Sequence, residues 1–269
     1  MQVNMTKVPF VKYHGTGNDF VLLDERETNL DAKLDQQAIA RICHRHFGIG
    51  ADGLMRLKTS EAADFKMLYY NADGNESSLC GNGSRCIVAF AKSLGIISDS
   101  ATFETSDGTH QAWVLENDHI KLKMHSPHGY RQYNTSTHFI DTGSPHHVAV
   151  VDEQELSSLA IIEQGSKIRY SESYKPDGTN VNFMHEAGSD NIHVRTYERG
   201  VENETLSCGT GVTACAYVHL IRSEASQGDV RIHTPGGELT VSIKNRGLEN
   251  EEVYLIGPAQ HVFTGLIAL

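Results

Sequence analysis

The sequence predicts an α+β protein of two pseudo-symmetric domains, each a mixed, mostly antiparallel β-sheet rolled around a central helix. Three observations support this fold class. Strand-like segments outnumber helical ones, a nine-residue phrase occurs twice, and each copy runs into a helical stretch that is apolar on nearly all sides. Such a helix must be covered all round, and with strands dominating each half a curled sheet is the simplest cover.

The repeated phrase places two cysteines in the same setting. Residues 75–83 read NESSLCGNG and residues 203–211 read NETLSCGTG, so Cys80 and Cys208 stand 128 positions apart. Two further landmarks recur in the same order. Thr16-Gly17-Asn18 returns as Thr142-Gly143-Ser144, and Thr105-Ser106-Asp107-Gly108 returns as Thr234-Pro235-Gly236-Gly237.

Three ordered landmarks at offsets of 126, 128 and 129 residues indicate a duplicated domain. We predict one half at 1–124, with the C-terminal strand 259–269 as a candidate addition to it, and the other at 125–258. Halves of this length are ordinary domains.

The remaining elements follow from hydrophobic periodicity and turn residues. A helix is predicted at 35–47, with Ile39, Ile42 and Cys43 on one face, and the helix after the first phrase covers about 82–94. The polar stretch 126–137 is the best linker candidate. Strands are predicted at 10–14, 20–24, 54–57, 65–70, 102–105, 111–115, 120–124 and 148–152.

Composition limits the classes of function. With 23 Lys+Arg against 34 Asp+Glu, the formal charge is −11, and no basic run offers a footprint for nucleic acid or an anionic membrane. The start of the chain lacks the apolar run of a secretory signal, and no apolar run is long enough to cross a bilayer. We expect a cytoplasmic protein with a small-molecule partner; the oligomeric state is open, with a homodimer as one alternative.

The five cysteines do not predict a disulfide framework, because the count is odd and no secretory signal is present. Cys43, His44 and His46 form a conceivable zinc cluster, but the other cysteines lack zinc-knuckle spacing. We interpret Cys43 as a buried helix thiol beside surface histidines. Cys86 and Cys215, inside their helices, are interpreted as packing residues. No metal or cofactor is expected.

The phrase itself suits proton transfer at a carbon acid. A helix N-terminus stabilises a thiolate, and the following glycines let backbone amides approach a carboxylate. If the two helix starts face one substrate, one thiolate can remove the α-proton while the opposite thiol delivers another. The alternative is a purely structural role, in which Cys80 and Cys208 are small buried residues at helix starts.

The sequence resembles the diaminopimelate epimerase family over essentially its whole length. The motifs that carry the resemblance are 14–20 (HGTGNDF), 71–74 (NADG), 80–85 (CGNGSR), 197–200 (YERG) and 208–211 (CGTG). The resemblance implies cofactor-independent interconversion of LL- and meso-diaminopimelate, for lysine and peptidoglycan synthesis, with Cys80 and Cys208 as the acid/base pair.

The resemblance also implies roles for other residues. His146 and Glu198 match residues that tune the thiols. The residues matching substrate-binding positions are Asn18, Asn71, Asn180, Glu198 and Arg199, together with Gly81, Asn82, Gly209 and Thr210, whose amides hold the reacting carboxylate. The sequence departs from the family pattern at Ser144, where many members have asparagine, at Gly53, where some have glutamine, and in a 199–205 segment one residue longer.

Specificity is expected where the repeat breaks, and by a constant offset of 128 the counterpart of Glu198-Arg199 is Tyr70-Asn71. Three alternatives to the epimerase remain open. A proline or hydroxyproline racemase of the same fold would have histidine where Asn82 stands. The others are a non-catalytic amino-acid-binding module and a metal or thiol-redox protein.

Overall fold

A computed structural model of the chain describes residues 7–77 and 80–269. The first six residues, at the start of the stretch where no secretory signal is predicted, lie outside the described residues, as do Ser78 and Leu79 of the first phrase. The chain divides into two compact units. Unit 1 is Met1–Leu122 with Pro258–Leu269, and unit 2 is Lys123–Gly257. No helix in the described ranges is long and apolar enough to span a membrane.

In its described residues, unit 1 is a mixed sheet with two helices. Its neighbouring strands run in the order β18, β1, β2, β3, β4, β6, β7, β8, with β2–β3 and β4–β6 parallel and β5 paired to β4. The elements are β1 (Lys7–Gly15), β2 (Asn18–Asp24), α1 (Gln36–Cys43), β3 (Gly53–Lys58), β4 (Phe65–Asn71), β5 (Glu76–Ser77), α2 (Gly81–Ser93), β6 (Ser100–Thr105), β7 (Gly108–Val114), β8 (Ile120–Met124), whose last two residues belong to unit 2, and β18 (Gln260–Ala268).

Unit 2 has the same organisation. Its strands run in the order β9, β10, β11, β12, β13, β15, β16, β17, with β11–β12 and β13–β15 parallel and β14 paired to β13. The elements are β9 (His128–Gln132), β10 (Thr137–Asp141), β11 (Pro145–Val150), α3 (Glu153–Ser158), α4 (Ile161–Arg169), a 3₁₀ turn (Glu172–Tyr174), β12 (Asn180–Glu186), β13 (Asn191–Glu198), β14 (Asn203–Thr205), α5 (Gly209–Arg222), β15 (Gly228–Thr234), β16 (Gly237–Lys244) and β17 (Glu252–Gly257).

The two units therefore repeat one topology. Strands β1 to β8 correspond in order to β10 to β17, and the place of β18 beside β1 is taken in unit 2 by β9 beside β10. In unit 1, α2 packs on β1, β2, β3 and β7, and in unit 2, α5 packs on six strands from β10 to β16. The predicted fold class, two similar α+β halves each with a central helix, is confirmed.

Burial of the central helices follows the sequence pattern. Ile87, Val88 and Ala91 of α2 are fully buried, and most residues of α5 are buried as well. Cys86 and Cys215 are fully buried, and desolvation raises the pKa of both thiols, so their predicted packing role is confirmed. Ile39, Ile42 and Cys43 form the buried face of α1, as predicted.

Two local predictions were wrong. Helix α1 ends at Cys43 rather than at 47, because His44 adopts an extended backbone and its Nδ1 accepts from the N–H groups of His46 and Phe47. The predicted linker 126–137 contains β9, a strand of mostly exposed residues paired with β10. Its lack of apolar alternation hid it, since an exposed edge strand buries little.

The registers also correct the predicted counterpart of Glu198. Tyr70 of β4 corresponds to Tyr197 of β13, which makes Asn71 the counterpart of Glu198 and leaves Arg199 in the longer loop. The paired positions are Val21–Leu54–Tyr70 in unit 1 and His147–Val181–Tyr197 in unit 2. The extra residue between Arg199 and Thr205 changes the offset between the halves from 127 to 128 at this point.

Candidate active site

Both cysteines of the phrase are the N-cap residues of the central helices. Cys80 (φ −112°, ψ 118°) precedes α2 and Cys208 (φ −123°, ψ 114°) precedes α5, and within the described chain neither sulfur caps its helix. The first helical bonds run from Ser84 N to Cys80 O (2.7 Å) and from Val212 N to Cys208 O (2.9 Å). The amides that follow each cysteine therefore precede the first helical bond, at the position where helix N-termini bind anions.

The Cys80 half-site comprises Cys80, Asn18, Asn82, Arg85 and Asp52, all in unit 1. The Cys80 thiol donates to Asn18 Oδ1 (3.7 Å), which also accepts from Asn82 Nδ2 (3.3 Å). Asn18, the first residue of β2, donates through Nδ2 to Asp52 Oδ2 (2.8 Å). Two predicted substrate residues, Asn18 and Asn82, are thus joined to the predicted catalytic sulfur.

Arg85 supports this half-site from inside the protein. The residue is fully buried, and its guanidinium donates to Asn82 Oδ1 (3.0 Å), Thr16 Oγ1 (3.3 Å) and Gly81 O (3.3 Å). Burial lowers the pKa of Arg85 to about 10, which still leaves the side chain cationic at neutral pH. Arg85 therefore fixes the orientation of the Asn82 amide.

Asp52 belongs to an ionic cluster that ties the loop before β3 to the neighbouring strands. Arg45 bridges Asp19 (2.9 Å) and Asp52 (2.6 Å), and Lys12 pairs with Asp19 (2.7 Å). Burial raises the pKa of the Asp19 carboxyl, but hydrogen bonds from Arg45 and Lys12 outweigh it and hold that pKa at about 2. The cluster thus holds the Asp52 acceptor beside Asn18.

The Cys208 half-site comprises Cys208, Thr210, His146, Asn182 and Thr196, all in unit 2. Cys208 Sγ lies 3.5 Å from Thr210 Oγ1, which lies 2.9 Å from His146 Nε2. His146, on β11, is fully buried, and desolvation together with the charge of Arg199 lowers its pKa to about 3. His146, predicted to tune a thiol, thus reaches Cys208 through a hydroxyl.

Asn182 holds the other side of the histidine ring. Its Nδ2 lies 3.0 Å from His146 Nδ1 and donates to His147 O (3.0 Å), while its Oδ1 accepts from Thr196 Oγ1 (2.9 Å). A side chain on Gly211 would collide with this amide, since an added Cβ would lie closer than 3.0 Å to Asn182 Oδ1. The last glycine of the phrase is therefore required for this close approach.

The predicted substrate residues of unit 2 lie on neighbouring strand ends. Asn180 Nδ2 donates to Ser144 Oγ (2.9 Å) and Pro145 O (3.1 Å), and its Oδ1 accepts from Arg199 N (2.9 Å). Ser144 therefore contacts Asn180. Glu198 Oε2 accepts from Thr205 Oγ1 (2.8 Å), which ties the end of β13 to β14.

In unit 1, Asn71 and Gly53 are paired residues of β4 and β3. Asn71 is exposed at the end of its strand, and its N–H donates to Asn75 O (3.0 Å). A Cβ on Gly53 would lie 2.6 Å from the Tyr69 ring and from Tyr70 O. Glycine at this position is thus imposed by packing, which explains the departure from glutamine.

Sequence reasoning missed Asp52, Asn182 and Thr196. Asp52 gave no local signal, because its partner Asn18 lies 34 residues away. A signal for Asn182 did exist, since Asn180-Val181-Asn182 on a strand directs both amides to one face. Val181 points to the opposite face, where it packs in the core beside Tyr197.

Comparisons with solved structures place this fold. A phenazine biosynthesis protein of the PhzF family from Bacillus anthracis matches with a TM-score of 0.78 and 16% identity, over 98% of this chain and 100% of that chain. A hydroxyproline epimerase from Agrobacterium vitis matches with a TM-score of 0.68 and 15% identity, over 100% of this chain and 94% of that chain. At this identity the likeness shows the fold alone.

Fold and twin cysteine sites define the class: a protein of the duplicated fold shared by PhzF proteins and hydroxyproline epimerases, with a cysteine at each central helix start. The family model for diaminopimelate epimerase matches residues 10–128 and 138–262. A diaminopimelate epimerase from Flavobacterium psychrophilum is 45% identical over 252 residues, 94% of this chain and 97% of that protein. The chain belongs to the diaminopimelate epimerase family, and the family predicted from the motifs is confirmed.

Proposed function

We propose that the chain is a cofactor-independent epimerase that interconverts LL- and meso-diaminopimelate by proton transfer at the α-carbon, with Cys80 and Cys208 as the acid/base pair. The observation that carries the proposal is the occurrence, in a member of this family, of one cysteine at the same N-cap position of both central helices. Inversion by two bases requires a proton acceptor and a proton donor on opposite faces of one carbon.

The neighbouring groups support the same chemistry. Amides at the starts of α2 and α5, at Gly81, Asn82, Gly209 and Thr210, are suited to stabilise the charge that grows on the carboxylate as the α-proton leaves. We assign the non-reacting end of the substrate to polar groups at strand ends, since that end carries both an ammonium and a carboxylate. These groups are Asn18, Asn71, Asn180, Glu198 and Arg199.

We assign thiol tuning to His146 and Glu198. His146 reaches Cys208 through Thr210, and Glu198 lies at the end of the strand that precedes the second phrase. We place the protein in the cytoplasm, where thiols stay reduced.

Deuterium incorporation tests the proposal. Purified protein in heavy water should introduce deuterium at the α-carbon of LL- and meso-diaminopimelate without added cofactor, and should leave L-proline and trans-4-hydroxy-L-proline unlabelled. Cys80→Ser and Cys208→Ser should each slow epimerisation at least about 100-fold, the scale of a lost general acid or base.

Cys86→Ala and Cys215→Ala are the matched controls, because both remove a buried thiol outside the proposed chemistry. They should retain turnover. Labelling of the proline substrates but not of diaminopimelate would assign the chain to the racemase alternative, and full turnover in both serine variants would exclude the two-thiol reaction.

A further inference from the structure

We propose that the two sulfurs rest in opposite proton states, Cys80 as the thiol and Cys208 as the thiolate, and that Asn182 is a positioning residue that maintains this difference. The inference rests on the proposed two-thiol reaction and specifies which sulfur begins as the base. It follows from the direction of the hydrogen bonds within each half-site, taken separately.

In unit 2 the direction is set by Asn182. A main-chain carbonyl can only accept, so the side-chain atom 3.0 Å from His147 O is the amide nitrogen, and Oδ1 accepts from Thr196. The same nitrogen lies 3.0 Å from His146 Nδ1. Because an amide nitrogen only donates, His146 Nδ1 must present its lone pair.

The proton of the neutral imidazole is therefore on Nε2. The pKa of His146 is about 3, lowered by burial and by Arg199, so the ring carries one proton at neutral pH. Nε2–H donates to Thr210 Oγ1, 2.9 Å away. Asn182 therefore donates a hydrogen bond to His146, and His146 donates one to Thr210.

The hydroxyl of Thr210 then has one hydrogen to direct. Among residues 7–77 and 80–269, its oxygen has two partners, His146 and Cys208. Since His146 is the donor in its pair, the hydroxyl hydrogen points to the sulfur. A hydrogen bond donated to sulfur stabilises the charged form, so Cys208 is favoured as thiolate.

The direction is reversed at Cys80. Asp52 accepts from Asn18 Nδ2, which turns Oδ1 towards the sulfur, and Asn82 donates to the same oxygen. A carbonyl oxygen in contact with sulfur accepts from a thiol and repels a thiolate. Cys80 is therefore favoured as the thiol.

Charged groups of both signs surround Cys80. Arg85 favours a negative sulfur through its charge, but its described hydrogen bonds go to oxygens, those of Asn82, Thr16, Gly81 and Pro258. The carboxylates of Asp19 and Asp52 act in the opposite sense and are themselves paired with Lys12 and Arg45. The hydrogen bond to Asn18 Oδ1 is the contact on which we base the assignment of Cys80 as the thiol.

The duplication shows where the halves diverged. The unit 1 positions equivalent to His146, Asn182 and Thr196 carry apolar or aromatic side chains. Phe20, Met55 and Tyr69 occupy the positions of His146, Asn182 and Thr196. A Cβ on Gly83 would meet Met55 as one on Gly211 would meet Asn182. The space beside the last glycine of each phrase therefore holds the Asn182 amide in unit 2 and the Met55 side chain in unit 1.

The test measures the iodoacetamide alkylation rate of each cysteine in the substrate-free protein against pH, by mass spectrometry of the two peptides. In the unsubstituted protein, Cys208 should show the lower apparent pKa; an equal or lower value at Cys80 would overturn the assignment. This measurement does not involve diaminopimelate, so it can fail or succeed independently of the proposed activity.

Two substitutions of Thr210 examine the hydroxyl. Thr210→Val should raise the apparent pKa of Cys208 alkylation by about one unit, while Thr210→Ser should retain the unsubstituted profile. Thr213→Val is the matched control, because the Thr213 hydroxyl donates to Gly209 O (2.9 Å) and not to sulfur. An unchanged Cys208 profile in Thr210→Val would refute the proposal.

Asn182→Leu tests the positioning role. Nitrogen-15 NMR of the histidine rings should show His146 as the Nε2–H tautomer in the unsubstituted protein and a loss of that preference in the variant, with the apparent pKa of Cys208 raised. Cys80 in the same molecules should be unaffected. An unchanged tautomer and unchanged Cys208 profile would remove Asn182 from the mechanism; if the variant does not fold, the Thr210 pair still decides.

Discussion

Replacing Gly211 by alanine should destabilise unit 2 through one identified collision. The added Cβ would lie closer than 3.0 Å to Asn182 Oδ1, and 3.3 and 3.4 Å from Cys208 Cβ and Sγ. Ordinary contact requires the amide oxygen to retreat by about half an ångström or more. Asn182 is fully buried and hydrogen-bonded at both ends, so it cannot retreat without weakening those bonds.

The cost can be worked from these contacts. Overpacking a close-packed site costs about 1–3 kcal/mol. One weakened buried hydrogen bond adds about 1 kcal/mol. A total of about 2–4 kcal/mol corresponds to a fall in melting temperature of roughly 5–15 °C for a protein of this size.

The assay is thermal unfolding followed by circular dichroism, with Gly188→Ala as control. Gly188 is exposed in the same unit, and a Cβ there would meet Asn191 at 3.9 Å, an ordinary contact. In the background of Asn182→Ala, which removes the obstructing amide, the additional cost of Gly211→Ala should fall below about 1 kcal/mol. Equal melting temperatures for the two glycine variants, or a penalty that persists without the amide, would refute the reasoning.

Three further outcomes are expected. Arg56→Met should destabilise the protein by about 3–5 kcal/mol in urea unfolding, because the buried Glu25 carboxylate loses its two-pronged partner and keeps Lys58, 3.8 Å away, as its described cation. Glu25→Leu in the same molecule should recover most of the loss. The hydrogen bond with Glu186 raises the pKa of His219 above its unfolded value of about 6.5. The stability lost in His219→Gln should therefore be largest below about pH 6.5 and should shrink as pH rises through the folded pKa. A pH-independent difference in stability would contradict this. Burial raises the pKa of Cys43 to about 12, so iodoacetamide at pH 8 should label it only after unfolding in urea, and fast labelling of the native protein would show that the thiol is accessible.

Local features were predictable from the sequence because their causes are local. Cys80 and Cys208, with the glycines after them, predict a helix start whose amides face a ligand. The apolar runs of α2 and α5 predict buried helices. Repetition then supplied the long-range information: two copies of one pattern implied two copies of one fold, which is what the strand order shows.

What the sequence did not predict depends on strand register. Asp52 reaches Asn18, and Asn182 reaches Thr196, only because particular strands pair at particular positions. The counterpart of Glu198 was likewise misjudged, since one extra residue in a loop shifts every later correspondence. Edge strand β9 was not predicted because its side chains are mostly exposed, and hydrophobic periodicity detects only strands that bury apolar side chains.

Because β18 belongs to unit 1 but is synthesised last, the two units are completed at different times during synthesis. Unit 2 is one continuous segment, so a ribosome releases all of its strands before the chain returns to unit 1. Strand β1, made first, pairs on one side with β2 at once but receives β18 on its other side only when Gln260–Ala268 emerges. At about 5–20 residues per second, that neighbour arrives after a delay on the order of tens of seconds. Unit 1, though first in the sequence, is therefore the last to be completed.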